Sequence, residues 1–130
     1  MNMPDVIIKN RRFYNPVDYV LRQIGGTWKA PVLWRLRSGA RRYSELAKGI
    51  PHISEKMLTR TLKELHADGI LTRKVWSRMP PHTEYALTRK GRKAVRLIES
   101  IREAGLDWMK TEGIDYNRIV QDEKRHVRKT

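Results

Sequence analysis

The sequence predicts a mainly α fold of the α+β class, in which one two-stranded hairpin interrupts a series of helices. Apolar residues recur at helical spacing in several segments, beginning with residues 17–24. Between residues 71 and 87 the spacing changes from about 3.6 residues to about 2, which is typical of strands. Two prolines, Pro80 and Pro81, lie between the two alternating runs and indicate a turn. The 130 residues suit a single domain.

Two helices are expected near the beginning of the chain. Asn15 and Pro16 are suitable cap and first residues for a helix that ends before Gly25. Thr27 is expected to cap the next helix, which ends near Ser38. Its apolar stripe consists of Trp28, Val32, Leu33 and Leu36.

A short helix, a turn and a longer helix follow. The short helix is expected over residues 44–48, with Ser44 as its cap, and the turn over residues 49–52. Ser54 is expected to cap the longer helix, residues 55–68, and Gly69 to close it. The inward stripe of the longer helix consists of Leu58, Leu62 and Leu65, helped by Met57.

The hairpin and a last long helix complete the predicted order. The strands are expected over residues 71–76 and 82–87, and Thr88 begins a helix that reaches about Thr111. One side of that helix carries Ala94, Leu97, Ile98, Ile101, Gly105 and Trp108. The expected boundaries are an N-terminal arm at 1–14, the domain at 15–111 and a C-terminal extension or tail at 112–130, solvated from Lys124 onward.

This order of elements describes a winged helix-turn-helix. The longer helix fits the major groove of B-DNA, the short helix braces it, and the hairpin is the wing. Charge supports the same function, because 28 basic residues against 14 acidic ones leave a net charge of +14. An excess of this size attracts polyanions, since each neutralised phosphate releases counterions. Double-stranded DNA is therefore the predicted partner.

The candidate DNA-binding residues are polar side chains on the outward face of the longer helix, on the wing and before the short helix. Arginine and lysine can donate to guanine or phosphate, and threonine can contact a base or a phosphate. The alternatives are an ordinary solvated helix face and edge-strand charges that prevent aggregation. The candidates are Arg41, Arg42, Ser54, Glu55, Lys56, Thr59, Arg60, Lys63, Arg73, Lys74, Arg78 and His82.

A second set of candidates is apolar and is expected to form a dimer interface. The last helix carries more apolar surface than one side of a small domain can bury, and a large exposed apolar patch marks an interaction site. Pairing two copies about a twofold axis covers such a patch. The candidates are Val17, Val20, Leu21, Ile24, Leu97, Ile98, Ile101 and Trp108.

Several other function classes find no support. The sequence has no cysteine, which excludes disulfides, thiolate metal sites and cysteine nucleophiles. The four histidines are too scattered to predict a metal site, Gly25-Gly26 lacks a phosphate-loop pattern, and no catalytic set is evident, so neither a cofactor nor an enzyme is expected. Trp28, Trp34 and Trp108 are better explained by core or dimer packing than by base stacking, whereas both roles stay open for Trp76 at the end of the wing. No signal-peptide core and no membrane span are found, and a cytoplasmic location is expected.

Several runs of residues resemble the HxlR-type regulators, which are winged-helix relatives of the MarR proteins. The runs span about residues 15–110 and are Ile24–Lys29 (IGGTWK), Arg42–Leu46 (RYSEL), Ile53–Thr59 (ISEKMLT), Leu62–Leu65 (LKEL), Asp68–Gly69, Pro80–Tyr85 (PPHTEY) and Leu87–Thr88 with Gly91.

The resemblance implies a homodimer whose terminal helices pair and which regulates, often represses, nearby genes. Several relatives sense oxidants through a cysteine that precedes a proline near the first helix. Asn15 stands before Pro16 at that position of this sequence, which argues against thiol sensing.

Two functions remain open at this point. One is a sequence-specific dimeric regulator that binds a pseudo-palindromic operator, with roughly a thousandfold or greater preference over random DNA. The other is an architectural nucleic-acid-binding protein that coats DNA through charge alone. The sequence also leaves open a small-molecule effector, and it names neither the operator nor the regulated genes.

Overall fold

The predicted fold class is confirmed: helices dominate, and the strands form small antiparallel sheets. A computed structural model describes the backbone of residues 5–129 and the side chains of residues 5–125. Among the described residues, no helix is long and apolar enough to cross a membrane. In chain order the elements are β1 (Val6–Ile8), β2 (Arg11–Phe13), α1 (Pro16–Ile24), α2 (Lys29–Arg35), β3 (Arg41–Arg42), α3 (Tyr43–Gly49), α4 (Glu55–Ala67), β4 (Leu71–Arg78), β5 (Pro81–Leu87), α5 (Arg89–Thr111) and α6 (Tyr116–Lys129).

The chain divides into two compact units, of which the first ends at Val95 and the second begins at Arg96. The core of the first unit is built from apolar side chains of α1 to α4, the wing and the start of α5. Its most completely buried members are Val32, Leu33, Leu36, Leu46, Leu58, Leu62, Leu65, Ile70 and Leu71.

The predicted arm, residues 1–14, contains a hairpin over its described part, and residues 1–4 lie outside the described residues. Lys9 and Asn10 connect β1 to β2 with φ angles of 50° and 63°. Two successive positive φ angles are typical of the tight turns that join antiparallel strands. Phe13 is buried and meets Tyr19 of α1 edge to face at 4.9 Å, so the hairpin is attached to the first unit.

The two predicted helices α1 and α2 are present, but only one of their predicted caps is confirmed. Asn15 caps α1, because its Oδ1 accepts a hydrogen bond from the backbone N–H of Asp18 at 2.8 Å. Thr27 is wrong as the cap of α2, which begins at Lys29 after Trp28 and has no side-chain cap. Thr27 therefore lies in the turn between the helices.

The helix-turn-helix consists of α3 and α4. Ser44 is wrong as the cap of α3, because the helix begins one residue earlier and the backbone N–H of Arg42 donates to Glu45 Oε1 at 3.0 Å. The predicted cap of α4 is confirmed: Ser54 Oγ accepts from the backbone N–H of Met57 at 3.0 Å.

The end of α4 is also as predicted. Gly69 follows the helix with φ of 71°, a conformation that glycine adopts without strain. The backbone N–H of Gly69 donates to the carbonyl of His66, and that of Ile70 donates to the carbonyl of Leu65, each at 3.0 Å. These two bonds form the glycine-closed helix end known as the Schellman motif.

The wing, β4 and β5, belongs to a sheet of three strands in the order β3-β5-β4. The strand β3 was not predicted; in it Arg41 pairs with Tyr85 and Arg42 pairs with Glu84. Both wing strands are longer than predicted, because β4 continues to Arg78 and β5 already begins at Pro81. Only Met79 and Pro80 separate the strands, so the turn is shorter than the segment 77–81 that the predicted strands leave between them.

The start of α5 is held against the end of α4. Thr88 Oγ1 accepts from the backbone N–H of Gly91 at 3.1 Å and lies 2.6 Å from the carbonyl oxygen of Gly69. A Cβ atom at Gly91 would overlap the carbonyl oxygen of Ile70. Glycine therefore permits the close approach of α5 to the chain segment that leaves α4.

The second unit contains the rest of α5 and the whole of α6. Gly113 ends α5 in the same way that Gly69 ends α4, with φ of 79° and a bond from the Ile114 N–H to the Met109 carbonyl at 2.8 Å. The segment from Lys124, which was predicted to be a solvated tail, is helical as far as Lys129, and the described side chains of Lys124 and Arg125 are exposed. Thr130 lies outside the described residues.

Candidate nucleic-acid interface

The recognition helix α4 presents a polar face to solvent. Its inward leucines are completely buried, because they recur at spacings of four and three residues and so share one side of the helix. The candidate residues between them lie on the other side. All six predicted residues of this helix and its cap are exposed, namely Ser54, Glu55, Lys56, Thr59, Arg60 and Lys63.

Tyr43, at the first position of α3, connects the bracing helix to the recognition helix. Its hydroxyl donates to the backbone carbonyl of Glu55 at 3.2 Å and lies 3.1 Å from Thr59 Oγ1. This contact was not predicted from sequence, because no local pattern connects Tyr43 to a helix that begins twelve positions later. The contact places Tyr43 in the candidate interface.

A cleft of about 370 Å³ separates the helix-turn-helix from the wing. It brings together residues that are far apart in sequence, including the predicted candidates Arg42, Thr59 and Arg73. It also contains residues that were not predicted, since neither strand pairing nor helix docking is visible locally. The lining residues are Arg42, Tyr43, Ser44, Thr59, Arg73, Pro81, Thr83 and Tyr85.

The predicted cations of the wing lie on different faces of the sheet. Successive side chains of a strand point to opposite faces. Arg73 lines the cleft, whereas Lys74 places its Nζ 3.7 Å from the centre of the Trp76 ring. Arg78 is exposed at the end of β4, beside the two-residue turn. Arg73 is therefore the wing cation that shares a surface with α4.

Glu84 organises the face of the wing that carries Lys74. Its two carboxylate oxygens are in contact with different partners: Oε2 accepts from Trp76 Nε1 at 2.9 Å, and Oε1 lies 3.1 Å from His82 Nε2. Hydrogen bonding to His82 and then to Trp76 lowers the pKa of Glu84 below its usual value. Trp76 is thus held by a hydrogen bond and a cation, although its side chain remains more than half exposed.

Arg60 is held by an acidic neighbour on its own helix. Its Nε lies 3.1 Å from Glu64 Oε1, and the other carboxylate oxygen of Glu64 lies 3.4 Å from Lys29 Nζ. The hydrogen bond from Arg60, reinforced by Lys29, lowers the pKa of Glu64. The side chain of Arg60 is nevertheless 71% exposed, so it is accessible to a ligand that lies along α4.

The two arginines before α3 contact the structure around them. Arg41 Nη2 donates to Ser38 Oγ at 3.1 Å, and Arg42 Nη2 donates to the carbonyl of Pro81 at 3.4 Å. Arg42 therefore connects the short strand β3 to the tip of the wing. No three histidines, aspartates or glutamates among the described residues lie close enough to hold a metal ion.

Comparison with known proteins identifies the family of the chain. The family model for HxlR-like helix-turn-helix proteins matches residues 23–113, which include α2, the helix-turn-helix, the wing and α5. The chain belongs to the HxlR family.

Relatives of this HxlR protein are named as regulators. It is 42% identical over 89 residues to an uncharacterised HTH-type transcriptional regulator from Methanothermobacter thermautotrophicus, and the aligned region covers 68% of each chain. It is 37% identical over 94 residues to the regulator YtcD from Bacillus subtilis, which covers 72% of this chain and 75% of YtcD.

Solved structures show the same fold. The structure of the HTH-type regulator YtcD matches with a TM-score of 0.67 and 38% identity, over 74% of this chain and 98% of that chain. The redox regulator HypR in its oxidised form matches with a TM-score of 0.64 and 36% identity, over 74% of this chain and 95% of that chain. This HxlR protein is therefore a transcriptional regulator with a helix-turn-helix DNA-binding fold.

The predicted dimerisation residues of the HxlR protein divide into exposed and buried ones. On α1, Val17 and Leu21 are exposed and Val20 is half-buried, but Ile24 is only 6% exposed. Ile24 belongs to the core of its own chain, because it ends the helix on the side that faces the other helices of the first unit. It therefore has almost no surface to offer to a second copy.

The predicted residues of α5 have more accessible surface. Trp108 is 69% exposed, Ile101 is 53% exposed and Leu97 is exposed, whereas Ile98 is half-buried. Large apolar side chains recurring at helical spacing form an apolar stripe along the second unit's part of α5.

Proposed function

We propose that this HxlR-type regulator binds a specific, pseudo-palindromic operator as a homodimer and represses the genes beside it. The observation that carries the proposal is the exposed polar face of α4, which lies across a cleft from Arg73 of the wing. A helix with this face can enter the major groove while the wing contacts the neighbouring backbone.

The residues of the proposed interface have different roles. Arg60 and Thr59 are proposed to contact base edges, and Glu55 can accept a hydrogen bond from a cytosine amino group. Phosphate contacts are proposed for the cations around them and for hydroxyl and imidazole groups at the margins. These phosphate-binding residues are Arg41, Arg42, Ser54, Lys56, Lys63, Arg73, Lys74, Arg78 and His82.

A homodimer is proposed because α5 carries the exposed side chains of Leu97, Ile101 and Trp108. A patch of this kind is costly in water unless a partner covers it. A twofold axis would place two recognition helices roughly 34–36 Å apart, or a multiple of that distance, which matches successive turns of DNA. Each half-site would bind one recognition helix.

The proposed regulator receives its signal by a means other than the oxidation of a thiol. Among the structural neighbours, HypR is a redox regulator, and YodB from B. subtilis has been solved after diamide treatment. The 130 residues of this chain contain no cysteine, so they have no thiol to oxidise. A small-molecule effector is the alternative that we propose, and we expect the regulator to act in the cytoplasm without an enzymatic activity.

Selection of bound sequences from a random pool of double-stranded DNA tests the proposal. A specific regulator should enrich a pseudo-palindrome and prefer it by about a thousandfold or more over random DNA. The net charge of +14 favours a second candidate, an architectural protein that binds any DNA. The second candidate would be supported, and the first contradicted, if no motif were enriched and the affinity depended on the salt concentration but not on the DNA sequence.

A further inference from the structure

The hydroxyl of Thr59, although exposed, has its hydrogen committed within the protein. Tyr43 has one hydroxyl hydrogen, and the carbonyl of Glu55 can only accept a hydrogen bond. The bonds from the Tyr43 oxygen to the Glu55 carbonyl and to Thr59 Oγ1 therefore form together only if Thr59 donates to Tyr43. Thr59 then has no hydrogen to donate to DNA.

The same contact determines which way the side chain of Thr59 is turned. A threonine within a helix has two common rotamers, because its hydroxyl can bond to the carbonyl four residues earlier. Thr61 makes that bond, donating to the carbonyl of Met57 at 2.7 Å. At Thr59 the equivalent carbonyl, that of Glu55, accepts from Tyr43, and Oγ1 lies 3.1 Å from the tyrosine hydroxyl instead.

We propose that Thr59 is a specificity-determining residue whose methyl group recognises a thymine, and that Tyr43 is a positioning residue that keeps the Thr59 hydroxyl in a hydrogen bond within the protein. This proposal rests on the proposed function, in which α4 enters the major groove. A threonine without a free donor cannot donate to the acceptors of guanine or thymine, whereas its methyl group can pack against the C5 methyl of thymine. Each half-site of the operator should therefore contain one thymine that contacts Thr59.

The test removes the methyl group from the DNA. Each thymine of the selected operator is replaced singly by deoxyuridine, which keeps the base pairing and lacks only the C5 methyl. One position in each half-site should lose affinity by about fourfold, the effect of removing one buried methyl-sized group. Affinity is measured by titration at a constant salt concentration.

Two variants of Thr59 then remove either the hydroxyl or the methyl from the protein. Thr59→Val keeps a methyl group and has no hydroxyl, so it should retain the sensitivity to deoxyuridine at that position. Thr59→Ser keeps the hydroxyl bond to Tyr43 and has no methyl, so it should lose that sensitivity. Because Thr59 is exposed, both variants are expected to keep the thermal stability of the parent protein, which is measured in parallel.

Tyr43→Phe tests the positioning role. Removal of the tyrosine hydroxyl frees the carbonyl of Glu55, so Thr59 can turn to donate to that carbonyl as Thr61 donates to Met57. The turn displaces the methyl group of Thr59, so the preference for thymine should weaken. The same substitution combined with Thr59→Val should leave the preference for thymine unchanged, because valine has no hydroxyl that could bond to the freed carbonyl. This non-additive result would not follow if Tyr43 acted only through the packing of α3.

The possible results separate this proposal from the proposed function. The role of Thr59 is overturned if no replacement of a thymine by deoxyuridine affects the parent protein and Thr59→Ser differently. The proposed function as a regulator would still hold in that case. A preference for adenine or cytosine at that position that disappears in Thr59→Val would mean that Oγ1 accepts from a base amino group and also overturns the proposal. The absence of any selected operator overturns both.

Discussion

Arg60→Ala should separate the stability of the protein from its recognition of DNA. Within the protein, this substitution removes the exposed ion pair with Glu64, whose atoms lie 3.1 Å apart and whose residues are four positions apart on the same helix. Such pairs contribute only about 0.3–0.5 kcal/mol, because solvent screens them and both side chains lose freedom. Alanine also favours the helix slightly more than arginine. The free energy of unfolding in urea should therefore fall by no more than about 0.5 kcal/mol.

The effect on operator binding should be larger. If Arg60 donates two hydrogen bonds to a guanine, its removal should cost about 1–3 kcal/mol, or roughly a 5- to 150-fold increase in Kd. The effect should be confined to one base pair of each half-site, where the preference for guanine should disappear. Titration of the operator and of its single-base-pair variants measures both quantities.

Lys63→Ala is the matched control, because it removes a cation from the same exposed face of α4. As a phosphate contact, Lys63 should affect all sequences alike, and its removal should reduce the slope of log K against log salt by about one. A role of Arg60 in recognition is refuted if Arg60→Ala binds every variant with the affinities of the parent protein. This role is equally refuted if the unfolding free energy falls by more than about 1 kcal/mol, because Arg60 would then act through folding.

Three further predictions concern the dimer, the wing and the signal. Ile101→Glu should convert a dimer mass to a monomer mass in light scattering at tens of micromolar and should weaken operator binding. The control Ser100→Glu introduces the same charge at a neighbouring exposed position and should leave the mass unchanged. An unchanged mass for Ile101→Glu would place the interface elsewhere. Because the folded pKa of Glu84 lies below its ordinary value of 4.5, its ionised form stabilises the fold above that pH, and this contribution is lost as the pH falls below it. The free energy of unfolding in urea should therefore fall more steeply below pH 4.5 for the parent protein than for Glu84→Gln. Parallel curves of unfolding free energy against pH would contradict the role of Glu84. Diamide should leave operator binding unchanged, since the chain has no cysteine, and a loss of binding that a thiol reductant reverses would refute this.

The features that could be predicted from sequence depend on neighbours within a few residues. The cap at Ser54 and the glycine closure at Gly69 were predictable because the side chain or backbone that satisfies each helix end lies within one turn. The burial of Leu58 and Leu62 was predictable from helical spacing alone. Errors arose where two residues competed for one local role, as when Arg42 rather than Ser44 occupied the cap of α3.

The parts of the site that could not be predicted depend on contacts between distant segments. Arg42 was a candidate for phosphate binding, but its place in β3 is decided by pairing with Glu84 of the wing. Ile24 was a candidate for the dimer interface, but the packing of α1 buries it in its own chain. The hairpin before α1 was also missed, because its attachment depends on Phe13 docking against Tyr19.

The sequence by itself determined the order of the first five helices and the wing, the charge that favours DNA and the absence of a thiol, since these follow from composition, periodicity and local caps. Only the tertiary structure decided how the candidate residues work together. Docking of α3 against α4 brings Tyr43 to Thr59, and the hydroxyl of Thr59 then donates its hydrogen to Tyr43. Folding of the wing brings Arg73 to the opposite side of the same cleft. Because a helix or strand sets only which face a side chain occupies, the partners that control its chemistry appear when distant elements pack together.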